Sequence, residues 1–322
     1  MFDFMNKELK KLISVAAKFL ISIVIFTIVF RKVTAEQSLN LFSLLTISII
    51  LVIIITGILQ KIINALTQKT LLLIYNLKFT FKNLLIHNFI SSMYLLLIPG
   101  FFAPDLYLGY YYSKEKKNYG RIISILMINR SIGLAIFMFL ASIALIVIGK
   151  SIFDNLFIEV KQDTIQKIII GIIIILLLLL SLGLFFKKNI AKLKDKFLLL
   201  LKETKKKNLL YAFFLKLAFN FAGIIGRVVI GILLGISIPI WKFICVILIL
   251  NLVISMPISL NGIGVREVGY VGLLTYFGVP GNLALSFALC EFGITFSASL
   301  IGLLFWIYNS IFKKRSYASN LG

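Results

Sequence analysis

The stretch Pro257-Ile258-Ser259-Leu260-Asn261-Gly262-Ile263-Gly264-Val265-Arg266-Glu267 decides how this chain is read. It closes an apolar run that begins near Lys242. It places a proline, two glycines, a cation and an anion where lipid tails would tolerate none of them. Broken backbone at membrane depth is stable only where it is buried in protein or lines a polar cavity. Charges at that depth are costly and mark functional positions. The chain is therefore expected to handle a polar or ionic group here. A weaker copy of the same interruption occurs at Pro99-Gly100.

The rest of the composition agrees. Hydrophobic residues make up 60% of the 322, and several runs approach the roughly 18 apolar residues that a bilayer crossing needs. Basic residues number 34 against 12 acidic, a net charge of +22. In a membrane protein this excess reads as cytoplasmic loops facing anionic lipid. No nucleic-acid-binding module accompanies the lysines, so nucleic acid is not an expected partner. Cys245 and Cys290 both lie in apolar segments and His87 is the single histidine, so neither a disulfide framework nor a metal centre is expected, and no cofactor. Lys7, Lys10 and Lys11 precede the run Ile13–Phe30. Lys18 interrupts that run and Arg31-Lys32 close it, which reads as a retained first transmembrane helix rather than a cleaved leader.

Apolar segments fall at 12–30, 41–59, 83–98, 101–112, 121–149, 166–186, 208–236, 242–260, 264–278 and 281–311. The expected fold is all-α: one polytopic membrane helix bundle over 1–322, with two Pro/Gly-broken or re-entrant helix pairs. The lysine-rich segment 187–207 is expected on the cytoplasmic side, and 60–82, 113–121 and both termini with it. Segment 150–167 is neutral and reads as external. Residues 83–112 then start and end inside, whereas 242–280 start and end outside, either as paired crossings or as re-entrant hairpins. Each unit runs helix, break, short helix, long charged helix. Regions 83–149 and 242–311 thus read as an inverted repeat, a pattern that points to a transporter binding site.

Within these units particular residues carry the chemistry. Gly262 and Gly264 allow close approach of backbone to a ligand. A helix starting near Val265 would offer free N–H groups to an anion, with Arg266 as a planar, permanently charged donor and Asn261 and Glu267 beside it. The bland alternative has Arg266 reaching the interface and Glu267 steadying the helix start. Arg130 and Glu291 lie at similar depth in the two long helices and are expected to pair. Asn129, Asp105 and Arg227 complete the set of candidate binding residues. Lys216 is expected to reach the inner interface, Asn220 to bond between helices, and Tyr110-Tyr111-Tyr112 to anchor at the interface. Residues 190–201 read as an amphipathic surface helix. No phosphate-binding P-loop, paired-aspartate or Ser-His-Asp set is legible, so an enzyme is not expected.

The run SMPISLNGIGVREVGYVGLLTYFGVP, followed by the charged helix around Glu291, resembles the transmembrane region of lysylphosphatidylglycerol synthases, a flippase-like family. Its signature is a Pro followed by a Gly-x-Gly-x-Arg-Glu turn, here Gly262 to Glu267. The first-half counterpart is Pro99-Gly100, Asp105 and Asn129-Arg130. Tyr107-Leu108-Gly109-Tyr110 stands where relatives commonly carry an arginine. The resemblance covers roughly 10–312. It implies a protein that moves or binds lipids or lipid-linked sugars, with an anionic phospholipid or polyprenyl-phosphate-linked sugar as ligand. It does not imply the aminoacyl transfer, which belongs to a separate cytoplasmic domain. The rival reading is a non-catalytic membrane partner that docks a glycosyltransferase or lipid-modifying enzyme.

Overall fold

The computed structural model describes residues 46–97, 103–116, 119–159, 206–255 and 262–318. The expected first helix 12–30, segment 166–186, residues 187–205 of the lysine-rich segment, the Pro99-Gly100 turn and residues 257–261 lie outside the described residues. Everything regular among the described residues is helical: α1 Ile47–Ile74, α2 Phe81–Leu97, α3 Ala103–Lys116, α4 Tyr119–Glu159, α5 Lys206–Leu233, α6 Ile240–Ser255, α7 Val265–Tyr276 and α8 Gly281–Ala318. Four stretches are long and apolar enough to cross a membrane: Ile47–Ile74, Tyr119–Ile148, Lys207–Leu233 and Gly281–Ile311. At about 1.5 Å per residue, α2 and α6 reach only about 25 Å, short of the ~30 Å hydrocarbon core.

The bundle is turned out as a membrane protein requires. Leu106, Phe139, Ile146, Ile225 and Leu304 are among the exposed apolar side chains, while Gln68, Asn88, Asn129, Lys216, Arg266, Glu267 and Glu291 are buried. Helices associate in lipid through close contacts of small and polar residues. Ser299 Oγ donates to the Ser92 carbonyl at 2.9 Å, and Gly302 lies against the Phe89 carbonyl so closely that a β-carbon would collide with it. These contacts seal α2 onto α8.

Some helices run past their expected ends. Residues 60–74, expected on the cytoplasmic side, continue α1, and residues 150–159, expected to be external, continue α4. The polar residues Gln60, Lys61, Asn64 and Gln68 recur at helical spacing and face neighbouring helices rather than solvent. The helix ends at Tyr75, Asn76 takes a left-handed φ of 56°, and Leu77 N–H returns to the Leu72 carbonyl at 3.1 Å. That is a Schellman ending.

The same chain path then repeats. Helix α5 ends at Gly235 (φ 79°), with Ile236 N–H on the Gly231 carbonyl at 3.0 Å. Residues 47, 76 and 81 correspond to 206, 235 and 240, an offset of 159 (206 − 47). Beyond the broken turn, 105 and 119 correspond to 267 and 281, an offset of 162 (281 − 119), so the second copy carries three more residues there. The helix lengths run 28, 17, 14 and 41 residues, then 28, 16, 12 and 38.

Packing repeats as well. α2 lies on α8 as α6 lies on α4; α1 meets α8 as α5 meets α4; α3 packs on α4 as α7 packs on α8. At the centre, α1 packs directly on α5. Thr56 touches Gly226, Gln60 touches Gly223, and Asn64 bonds to Lys216, so numbers rise along one helix as they fall along the other. The two helices are antiparallel.

Candidate functional site

The Gly262–Glu267 turn forms as its sequence demands. Gly262 and Gly264 hold φ angles of 77° and 83°, which side chains with a β-carbon rarely adopt. The turn delivers the chain into α7 with Glu267 in the first turn. There the Glu267 carboxylate accepts the Gly264 N–H at 2.6 Å. The helix start is thus already supplied with an anion from its own sequence. This arrangement matches the bland reading of Glu267.

Arg266 does not reach an interface. It is 5% exposed, lies with its guanidinium 5.3 Å from the Phe292 ring centroid, and brings Nε within 3.6 Å of Glu291 Oε2. Glu291 accepts a second, tighter contact from Arg227 Nε at 2.9 Å, and Arg227 Nη1 also donates to the Gly223 carbonyl at 3.1 Å. The fully buried Tyr270 sits in the field of all three groups. Counting Glu267, this cluster holds two cations and two anions, so it is neutral. Such a balanced arrangement at low dielectric joins α5, α7 and α8.

The expected Arg130–Glu291 pair is not formed. Arg130 instead pairs with Asp105 at the start of α3. The reason is packing: α4 and α8 each hold the short helix of their own half and do not touch one another among the described residues. Equal depth did not mean adjacency. Under the repeat's numbering Asn129, not Arg130, corresponds to Glu291, and Asp105 corresponds to Glu267. Asn129 is buried on α4.

Two further expectations are corrected. Lys216 does not extend to the interface: it is 7% exposed and donates from Nζ to Asn64 Oδ1 at 2.7 Å, over the Phe219 ring. Tyr110-Tyr111-Tyr112 is not one aromatic anchor. Tyr110 is exposed, Tyr111 stacks on His87, and Tyr112 is wholly buried and donates to Gln68 Oε1 at 2.9 Å. Asn88 also donates to Gln68, at 2.8 Å, and accepts from Asn64 at 2.6 Å. Lys216, Asn64, Asn88, Gln68 and Tyr112 form one buried chain of hydrogen bonds across α5, α1, α2 and α3.

Between this chain and the Glu291 cluster lies a cavity of about 310 Å³. Both halves line it, around the α1–α5 crossing: Gln60 and Lys61 from α1, Asn220 and Arg227 from α5, Asn251 and Ser255 from α6, and Thr295 from α8. Gln60 and Lys61 correspond to Phe219 and Asn220 in the repeat, and all four face the cavity. No carboxylate lines it among the described residues. Arg227 is balanced by Glu291, but Lys61 makes no hydrogen bond or ion pair among the described residues. Sequence reading missed Lys61, Gln60, Asn64 and Asn251. The signal was present as a polar stripe at 60, 61, 64 and 68, spaced by three and four residues, which a helix carried past residue 59 would have aligned.

Comparison with family models matches residues 15–302 to the lysylphosphatidylglycerol synthase TM region. The chain belongs to this family. It is thus a membrane protein of a lipid-related family, with the all-helical build that the resemblance implied. A search of curated proteins returns no significant match.

Proposed function

We propose that this protein carries an anionic lipid, or a sugar on an anionic lipid carrier, across the cell membrane, and that the headgroup rests in the central cavity. The single observation behind this reading is the charge imbalance there. Lys61 enters a cavity lined by neutral amides and hydroxyls together with apolar side chains such as Leu95, Phe137 and Ile294, with Arg227 at its edge and no lining carboxylate among the described residues. An uncompensated ammonium at low dielectric is costly, and an anionic ligand offsets that cost. The headgroup site is therefore moved from the Gly262–Glu267 turn itself to the space beside it. The turn holds Arg266 on Glu291, and Glu291 in turn holds Arg227 at the cavity edge. Gly262, Gly264, Arg266 and Glu267 act in this reading as supports of the site.

The same reading treats the two four-helix sets as an inverted repeat. A two-fold operation that exchanges antiparallel α1 and α5 must have its axis across them, hence in the plane of the membrane. Repeats so related expose one site alternately to the two sides. The lysine distribution supports a cytoplasmic position for both termini in this reading, and the protein is read as a carrier that makes and breaks no covalent bond.

Photo-cross-linking tests the site. A photoreactive residue at Leu95, which lines the cavity, is expected to capture headgroup-labelled phosphatidylglycerol in preference to phosphatidylcholine. The same probe at lipid-facing Phe139 is expected to show no preference. Equal labelling of both lipids from Leu95 would remove the anion site from this cavity.

A further inference from the structure

We infer that the groove between α3 and α4 holds one acyl chain of an anionic phospholipid, with Ser113 Oγ donating to the lipid's ester carbonyl and the N-terminus of α4 facing its phosphate. This is a second lipid site, on the lipid-facing side of the bundle and independent of the central cavity.

The groove has a volume of about 260 Å³. Leu106, Gly109 and Ser113 of α3 form one wall, and Ile123, Leu126 and Met127 of α4 the other. Their three- and four-residue spacing gives each helix one face to the groove. Gly109 makes it deep, because no side chain stands between its backbone and Leu126. Leu106, Ile123 and Met127 are exposed, so the groove opens to lipid. Tyr119 stands at its mouth, and the Asp105–Arg130 pair closes the far end. Sites that enclose a whole small ligand measure about 300–1,000 Å³. This one suits a single hydrocarbon chain.

The fold alone does not require such a groove, because the second half fills the same place. At the offset of 162, Gly109 corresponds to Val271, Ser113 to Thr275 and Ile123 to Leu285. Leu285 is wholly buried where Ile123 is exposed. Thr275 Oγ1 donates to the Val271 carbonyl at 2.5 Å, so its hydroxyl is satisfied within its own helix. Ser113 differs. It is wholly buried, it lines the groove, and its Oγ has no hydrogen-bond partner among the described residues. A buried hydroxyl without a partner is costly, and an acceptor brought into the groove offsets that cost. Hydrocarbon alone supplies none. An ester-linked lipid carries its carbonyl oxygen at the head end of the chain, one helical turn inside the mouth, where Ser113 lies.

The charge of the headgroup follows from the mouth. Residues 113–121 carry Lys114, Lys116, Lys117 and Arg121 against Glu115 alone. Glu115 follows Tyr111 by one helical turn, on the face that stacks on His87 and away from the groove. The first turn of α4 holds no acidic residue, so its free N–H groups and dipole favour an anion beside Tyr119. The only carboxylate lining the groove is Asp105, at the far end and paired with Arg130.

The test uses full-length protein in phosphatidylcholine vesicles containing a small share of phosphatidylglycerol with a photoreactive diazirine in one acyl chain. Labelled residues are mapped after irradiation. Label is expected to concentrate on Leu106, Ile123 and Met127 and to exceed that on Phe139 and Ile146, which face lipid further along α4. Gly109→Val copies the second half. It is expected to fold, since a β-carbon there meets Leu126 at 3.6 Å, and to bring the groove label down to the Phe139 level. Ser113→Ala is expected to lower the label about two- to tenfold, the usual effect of losing one hydrogen bond. Diazirine phosphatidylcholine is expected to label the groove less, and Lys61→Met to leave the groove label unchanged. Groove label no stronger than at Phe139, or unaffected by both groove variants, means surrounding lipid only and overturns the site. Equal labelling by the two lipids overturns the anionic headgroup. Loss of the groove label in Lys61→Met would assign it to lipid held by the central cavity and overturn the second site. Should Gly109→Val not fold, Ser113→Ala decides: label equal to the parent's contradicts the assignment.

Discussion

Glu291→Leu is expected to be the most destabilising single substitution in the described core. Its carboxylate is 4% exposed and takes both Arg227 Nε and Arg266 Nε. Removing it leaves the buried Arg266 and the half-buried Arg227 guanidinium groups without their shared anion. Breaking one buried pair in this way typically costs about 3–5 kcal/mol. The thermal midpoint in detergent should fall by many degrees, with a matching loss of folded yield. Glu291→Gln should recover part of the loss, because its amide oxygen still accepts from Arg227. Adding Arg130→Leu should rescue nothing, since Arg130 belongs to Asp105. Rescue should require neutralising both Arg227 and Arg266. A Glu291→Leu protein as stable as the parent would contradict the described cluster.

Lys61→Met is expected to act in the opposite sense. Lys61 has no partner among the described residues and faces the cavity. Replacing such an unpaired charge with an apolar side chain of similar length removes a desolvation cost, so the fold should be unimpaired or more stable. Headgroup binding should nevertheless weaken about ten- to hundredfold, the usual effect of losing a charged donor worth about 1.5–3 kcal/mol. Thermal unfolding and the Leu95 cross-link read the two effects separately. A folding defect together with intact labelling would make Lys61 a structural residue.

The contrast between these residues shows what the sequence could convey. Proline and glycine interruptions act locally, so the broken helix pairs and the starts of the long helices after them were legible to within a few residues, whereas α4 and α8 run ten and seven residues past their expected ends. Helix α5 was expected at 208–236 and runs Lys206–Leu233. Charged residues at the start of α7 and inside α4 and α8 were also visible, because lipid makes any charge conspicuous. Partner choice was not visible. It depends on which helices touch, and the repeat gives each long helix to the short helix of its own half. Arg130 therefore meets Asp105, and Glu291 meets Arg266. Lys61 was lost for a simpler reason. A lysine after an apolar run reads as the end of a membrane helix. In the folded protein α1 instead continues for thirteen residues to Ile74, and Asn64 and Gln68 of its polar stripe bond to α2, α3 and α5.

Translocation itself is the most direct test of the central claim. Proteoliposomes carrying headgroup-labelled phosphatidylglycerol in both leaflets, treated with an impermeant quencher, report how much label reaches the outer face. The account predicts faster loss of protected label with the parent protein than in protein-free vesicles. It predicts a return toward the protein-free rate with Lys61→Met, although that variant folds. No excess over protein-free vesicles for phosphatidylglycerol or for a prenyl-phosphate-linked sugar, or an excess that Lys61→Met leaves unchanged, would contradict it.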